Sequence, residues 1–231
     1  MINRNLETDY IKLLPETTTI FDELRNRGVE IPTLYNGQEP TPNGEGEYFI
    51  SKLVDKFKDH KQLNTVIETL NYFVDKDLSR YNYRRIYWAL RTPLVRGLGV
   101  TKNFIAVFEK EKRPVTKQET GHVISIIATE EDIEWMKASF LNKKHGYTVC
   151  DLASGLGRLL GLDAIPIIIQ RLDDISICPS VIEELGNLRA IDTEELIQPF
   201  LQHESAEYRK IARKALSKIE TAKKRLAKKN K

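Results

Sequence analysis

The segment VIEELGNLR, residues 181–189, closes on Leu185-Gly186-Asn187-Leu188, and the chain writes the same close twice more. Leu156-Gly157-Arg158-Leu159 begins 29 residues before it, and Leu216-Ser217-Lys218-Ile219 begins 31 residues after it. Each close is preceded, four positions earlier, by an apolar residue: Leu152, Val181 and Ala212. Ile124-Ser125-Ile126-Ile127 fits as an earlier, degenerate copy 32 residues upstream of the first. Apolar spacings of three and four mark one face of an amphipathic helix. Partner segments lie between the closes, at residues 131–141, 164–172 and 194–201. A period of about 30 residues holding two such helices is too long for a coiled coil. It predicts an all-α chain: an α-solenoid of stacked antiparallel helix pairs, curved in a right-handed sense around a concave groove.

The same periodicity runs outward in both directions. Phe49, Ile50, Leu53, Val54 and Phe57 keep it, and Leu63, Val66, Ile67, Leu70, Phe73 and Val74 repeat it. Alternating strands bounded by Asn-Gly or Asp-Gly turns are nearly absent, so sheet content near zero is expected. Ile165–Ile169 resembles a buried strand, but Pro166 suits the first turn of a helix and not a central strand. Pro179 likewise suits a helix start, Asp192 or Thr193 reads as a cap, and Gly28, Gly146 and Gly161 fall where helices should stop. Residues 28–46, with three prolines and four glycines, read as an irregular arm. The expected organisation is therefore residues 1–46 as N-terminal helices and arm packed on the solenoid, 47–221 as the solenoid, and 222–231 as a basic tail. Leu156, Leu159, Leu185 and Leu188 are the expected core of the repeat.

Composition narrows the possibilities. With 231 residues, 41% hydrophobic and 30% charged, the chain is ordinary for a folded protein and excludes wholesale disorder. No stretch approaches 18 consecutive apolar residues, which argues against a membrane span. The opening MINRNLETDYIKLLPE lacks the apolar core of a secretory signal, so the cytoplasm is the expected location. The net charge of +3 conceals a division, because residues 207–231 hold eleven basic and two acidic residues. The preceding 206 residues hold 25 basic and 31 acidic. A basic end of this kind attracts phosphates or acidic surfaces, or simply solubilises a terminal helix.

AIPIIIQRLDD (164–174), VIEELGNLR (181–189) and LIQPFLQHESAEYRKIARKALSKI (196–219) resemble the HEAT-repeat proteins, specifically the HEAT-like class that contains phycobilin lyase-type repeats. The likeness lies in a proline-bearing first helix, a short polar turn, and a second helix with the Leu-Gly-x-Leu close, and it extends over about residues 80–219. It departs at DDISICP (173–179), where the usual Asp-x-x-Val-Arg turn and its arginine are missing; Arg209 stands near that position in the last repeat. The resemblance implies the solenoid fold. It leaves function open, since that fold hosts scaffolds, enzymes and DNA-binding proteins.

Catalytic motifs are sparse. His60, His122, His145 and His203 show no metal-ligand spacing, and two cysteines, Cys150 and Cys178, make neither a zinc site nor a disulfide framework. Nothing basic beside either thiol would activate it, so small-residue packing is expected there. Gly155-Leu156-Gly157-Arg158-Leu159-Leu160-Gly161 looks like a phosphate loop but lies within and after a helix, so its glycines are expected to permit close packing. No metal, cofactor or membrane contact is expected.

One constellation stands out. Residues 81–91, YNYRRIYWALR, place Ile86 and Leu90 toward a core with Tyr83 and Tyr87 alongside, leaving Arg84, Trp88 and Arg91 on another face. An arginine-flanked tryptophan can anchor a protein or grip a phosphate backbone. Asp151 and Arg158, two turns apart on one helix, complete the set of candidate groove residues. The expected function is a non-enzymatic scaffold or adaptor with a protein partner. The alternative is a nucleic-acid-binding solenoid related in fold to the HEAT-like alkylpurine DNA glycosylases, using the groove arginines or the basic tail. No residue is assigned a catalytic role.

Overall fold

The computed structural model describes residues 18–31, 50–76, 78 and 80–229. Every regular element among them is helical, α or 3-10, and none is a strand. The chain divides into two compact units, Met1–Glu111 and Lys112–Lys231. That division falls inside the 47–221 span read from the sequence as one body. Residues 1–17 and 32–46 of the expected N-terminal segment lie outside the described residues, so most of the 28–46 arm does too.

In the first unit, helix α1 (residues 18–26) buries Ile20, Phe21 and Leu24. It ends as glycine-closed helices do. Gly28 takes φ 76°, the Val29 amide donates to the Leu24 carbonyl at 2.9 Å, and Val29 is buried. Helices α2 (Leu53–Phe57), α3 (Leu63–Tyr72), α4 (Arg80–Leu90) and α5 (Val100–Lys110) follow. α3 packs on α2, α4 and α5, and the core they share includes Leu53, Phe57, Ile67, Leu70, Ile86, Leu90 and Phe104.

The second unit has two rows of helices. Along one row, α6 (Pro114–Ile127) packs on α8 (Leu152–Leu160), α8 on α10 (Cys178–Asn187), and α10 on α12 (Ala206–Lys229). Along the other, α7 (Ile133–Leu141) lies against α8, α9 (Ile165–Ile168) against α10, and α11 (Glu194–Ile197) against α12. Ile124, Ile127, Leu152, Leu156, Val181, Leu185, Ala212 and Ile219 are fully buried between them. Leu159 and Leu188, expected in the core, are only half-buried; Leu159 lies in the last turn of its helix and Leu188 is the residue that follows its helix.

The first row approaches closely because it carries glycine. A Cβ added to Gly186 would stand 2.6 Å from the Cα of Ala215, and one added to Gly155 would stand 2.9 Å from the Cα of Ser125. The other row is shorter than its periodicity suggests. Where one helix was expected over 164–172, α9 has four residues between 3-10 turns at Gly161–Ala164 and Ile169–Arg171. Residues Leu152–Arg171 are apolar enough to cross a membrane by length and composition, but Gly161 at φ 58° turns the chain, so no straight helix of that length forms. The Thr193 hydroxyl, expected as a cap, donates instead to the Ala190 carbonyl at 2.8 Å. α12 runs without a break through the expected boundary at 221–222, burying Ala222 and ending at Lys229; residues 230–231 of the expected tail lie outside the described residues.

Polar side chains tie neighbouring helices one period apart. Gln118 donates to Cys150, Arg171 to the Phe140 carbonyl, Lys143 to Asp173, Tyr208 to the Ile175 carbonyl and Lys218 to Asn187, over separations of 30–33 residues. The first unit has the same interval, with Asn103 donating to Asn71 across 32 residues.

Candidate functional site

Helix α4 exists because its apolar residues fall on one side. Ile86, Tyr87, Ala89 and Leu90 are buried, with Asn82, and the Tyr87 ring meets Phe104 edge-on at 4.6 Å. The Tyr83 ring lies 3.9 Å from that of Tyr87 and fills the border of the same face. These contacts fix the rotation of the helix and so determine what points outward. Trp88 does, at 45% exposure, and Arg91 is exposed at the helix end. The Arg84 and Arg85 guanidinium carbons stand 5.6 and 5.3 Å from the Trp88 ring centroid, within cation–π range. Trp88 and Arg91 point outward as expected, whereas Arg84 is half-buried, with its Nε buried. Arg85 is a member the sequence reading missed, although its three-residue spacing to Trp88 was the available signal.

Asp151 and Arg158 belong to the second unit. The Asp151 carboxylate is shared between two neighbours: Oδ1 lies 3.1 Å from His122 Nδ1, and Oδ2 accepts from the Cys150 thiol at 3.5 Å. Gln118 donates to the same sulfur at 3.5 Å. Cysteine, aspartate and histidine thus meet, but in an order that gives no nucleophile. A catalytic histidine must reach the sulfur, whereas here the carboxylate stands between them. Burial, then the Asp151 charge, pushes the Cys150 thiol up to about 11, so it holds its proton at neutral pH. Burial, then Asp174 and Asp173, pushes Cys178 up to about 12.

Arg158 serves packing. Its Nε and Nη2 donate to the Ser125 carbonyl at 3.2 and 3.0 Å, and Nη2 also donates to the Ala128 carbonyl at 2.8 Å. These carbonyls close helix α6, whose last acceptors have no partner within the helix. Arg171 does comparable work deeper in the unit. It is 1% exposed, bonds the Phe140 carbonyl, and holds Asp174 through Nε and Nη2 at 3.1 and 2.5 Å. Ser176 donates to the other Asp174 oxygen, and its hydroxyl, ahead of the guanidinium, holds that carboxylate below its ordinary pKa. The turn that departs from the HEAT pattern is thus organised by an arginine that precedes it.

Glu184 lies buried on α10 with its carboxylate against Gly157. Desolvation raises its pKa, offset in part by the amide of Asn187, which donates at 3.0 Å. The described residues present an aromatic-cationic face on α4 and a second cationic surface on α12. The chain matches no family model, no curated protein and no solved structure.

Proposed function

We propose that the chain is a HEAT-like α-solenoid that acts without catalysis, as a scaffold for a protein partner. The solenoid reading is supported by two helix rows in the second unit and by side-chain bonds that recur at about one repeat length. The function rests on one observation: Trp88 is 45% exposed and lies beside the guanidinium groups of both Arg84 and Arg85. Tryptophan and arginine are the residues most enriched among interface anchors, and burying this ring would remove a large apolar area from water. Residues 1–111 hold 16 basic and 16 acidic residues, so this unit lacks the cationic surplus that extended phosphate contact demands.

The test uses the full chain as bait beside Trp88→Ala and Arg85→Ala versions. Proteins retained by the wild type should be lost from both variants, while their helical CD and melting temperature stay unchanged. The retained protein, purified, should then shift the Trp88 emission to the blue in a Trp135→Phe background. Equal retention by wild type and Trp88→Ala rules this face out.

A further inference from the structure

Helix α12 sorts its cations by face. On the side toward the preceding elements, Lys218 donates to Asn187 and Lys223 pairs with Glu194, while Lys214, exposed one turn after Lys210, reaches Glu183 at 3.4 Å from the edge of the opposite side. Arg209 donates to the His203 and Glu204 carbonyls at 2.7 Å. The opposite side reads Lys210, Arg213, Ser217, Thr221, Lys224 and Lys228, at steps of three and four, with Arg225 beside it, and all are exposed. The side chains of Lys210, Arg213, Arg225 and Lys228 make no hydrogen bond or ion pair with another described residue, whereas Lys224 pairs with Glu220 at 3.3 Å. From Lys210 to Lys228 the stripe is about 27 Å long at the usual helical rise.

We propose that this outward stripe binds the phosphate backbone of a nucleic-acid duplex without reading its bases. Residues 207–229 hold ten basic and two acidic residues, whereas residues 112–206 hold nine basic and fifteen acidic. Lys214, Lys218, Lys223 and Lys224 engage the neighbouring acids and amide, so Lys210, Arg213, Arg225 and Lys228 are surplus to internal pairing. The helix dipole does not account for them, since it favours cations only in the last turn, and Lys210 and Arg213 are far from it. A protein partner would call for an apolar anchor, and between the cations the stripe offers only Ser217 and Thr221. A bilayer would call for an apolar face, and that of α12 is covered at Ala212, Ala215, Ile219 and Ala222, leaving Leu226 exposed beyond them. Lysine, arginine and hydroxyl side chains are, in contrast, the usual donors to phosphate oxygens. Beyond Ala222 the helix continues with exposed residues from Lys224 to Lys228, so its final turns are open to a rod-shaped ligand.

The experiment is fluorescence anisotropy of a labelled DNA duplex and the matching RNA duplex against the full chain, at 50 and 200 mM salt (about a fourfold change, chosen for the counterion slope). Four or so neutralised phosphates predict a log–log salt slope of about −3 to −4 on DNA, hence roughly a hundredfold weakening between the two conditions. Lys210→Glu with Arg213→Glu, and separately Arg225→Glu with Lys228→Glu, should each weaken binding at least about tenfold. Lys223→Gln, on the inward side, should bind as the wild type does. Arg225→Ala with Lys228→Ala, on turns without buried contacts, gives the same reading should charge reversal disturb folding. The proposal is overturned by no duplex binding at the lower salt, by affinity unchanged in the outward variants, or by salt-independent binding. Tighter binding to polyglutamate or to phosphatidylserine vesicles than to either duplex also overturns it.

Discussion

The Arg158 guanidinium sits on the carbonyl of Ser125, 3.0 Å away and 33 residues earlier in the chain. The same group reaches Ala128, so one side chain on α8 supplies donors to the carbonyls that end α6. It joins two successive helices of one row at their ends.

Arg158→Ala should therefore lower stability by about 1 kcal/mol, the net value of such bonds at a site open to water. Arg158→Lys should recover only part of this, because an ammonium does not offer the planar fork that serves two carbonyls. Urea unfolding of the three proteins is the measurement. A loss below about 0.3 kcal/mol in both variants would mean that the bonds contribute nothing, a magnitude typical of surface substitutions.

Gly186→Ala and Gly157→Ala should separate by what each new methyl meets. At 186 it meets the backbone of Ala215, which cannot move without shifting α12. Overpacking of that kind costs about 1–3 kcal/mol. At 157 it meets the carboxylate of Glu184, the end of a side chain that can rotate away. Thermal melts should rank Gly186→Ala as the more damaging, and the reverse order would show that the two helices are not in the register described.

Arg189 follows α10 at φ 56°, a left-handed conformation that glycine adopts without strain, and Ala190 closes the turn by donating to the Leu185 carbonyl. Arg189→Gly removes a penalty of about 1 kcal/mol but loosens the unfolded chain by somewhat less. The expected result is a stabilisation of a few tenths of a kcal/mol. A destabilised variant would mean that the arginine side chain contributes more than its backbone costs.

Asp174→Asn should cost about 2–3 kcal/mol at neutral pH, since it takes the carboxylate from a buried guanidinium. The pH dependence has a definite sign. The folded-state pKa is lowered, so the carboxylate's contribution is complete above the ordinary aspartate value and is lost as pH falls through the folded one. Unfolding curves of wild type and variant should converge in that acid window. A gap that persists there would assign the loss to packing instead of charge.

The helical class was legible in the chain, because amphipathic spacing and closing glycines are local signals. Gly28, Gly146 and Gly161, read as helix stops, all take positive φ. What the local signals omitted was which side of each polar residue faces a neighbour. Arg158 reads on a helical wheel as an outward cation, and only the register between α6 and α8 brings it to Ser125. The contact of His122 with Asp151, 29 residues apart, was missed for the same reason. A usable rule follows: step back one period from a polar residue and see what stands there. That step pairs Lys214 with Glu183 and Arg171 with Phe140, both at a distance of 31 residues. Trp88 was legible as a surface residue because Ile86 and Leu90 fix the inward side, whereas Arg85 was overlooked between two faces.

The regular interval of these bonds has a kinetic consequence. Each closes a loop of about the same length, so none demands that distant parts of the chain first find one another. Loop-closure entropy grows only slowly with length, and here it is nearly equal at every step. Contacts at this interval keep sequence separations short, which favours fast assembly. Within its row α12 packs on α10, and its turns beyond Ala222 bury no residue among the described ones. A polyanion laid along the cations of those open turns would act as a splint on them.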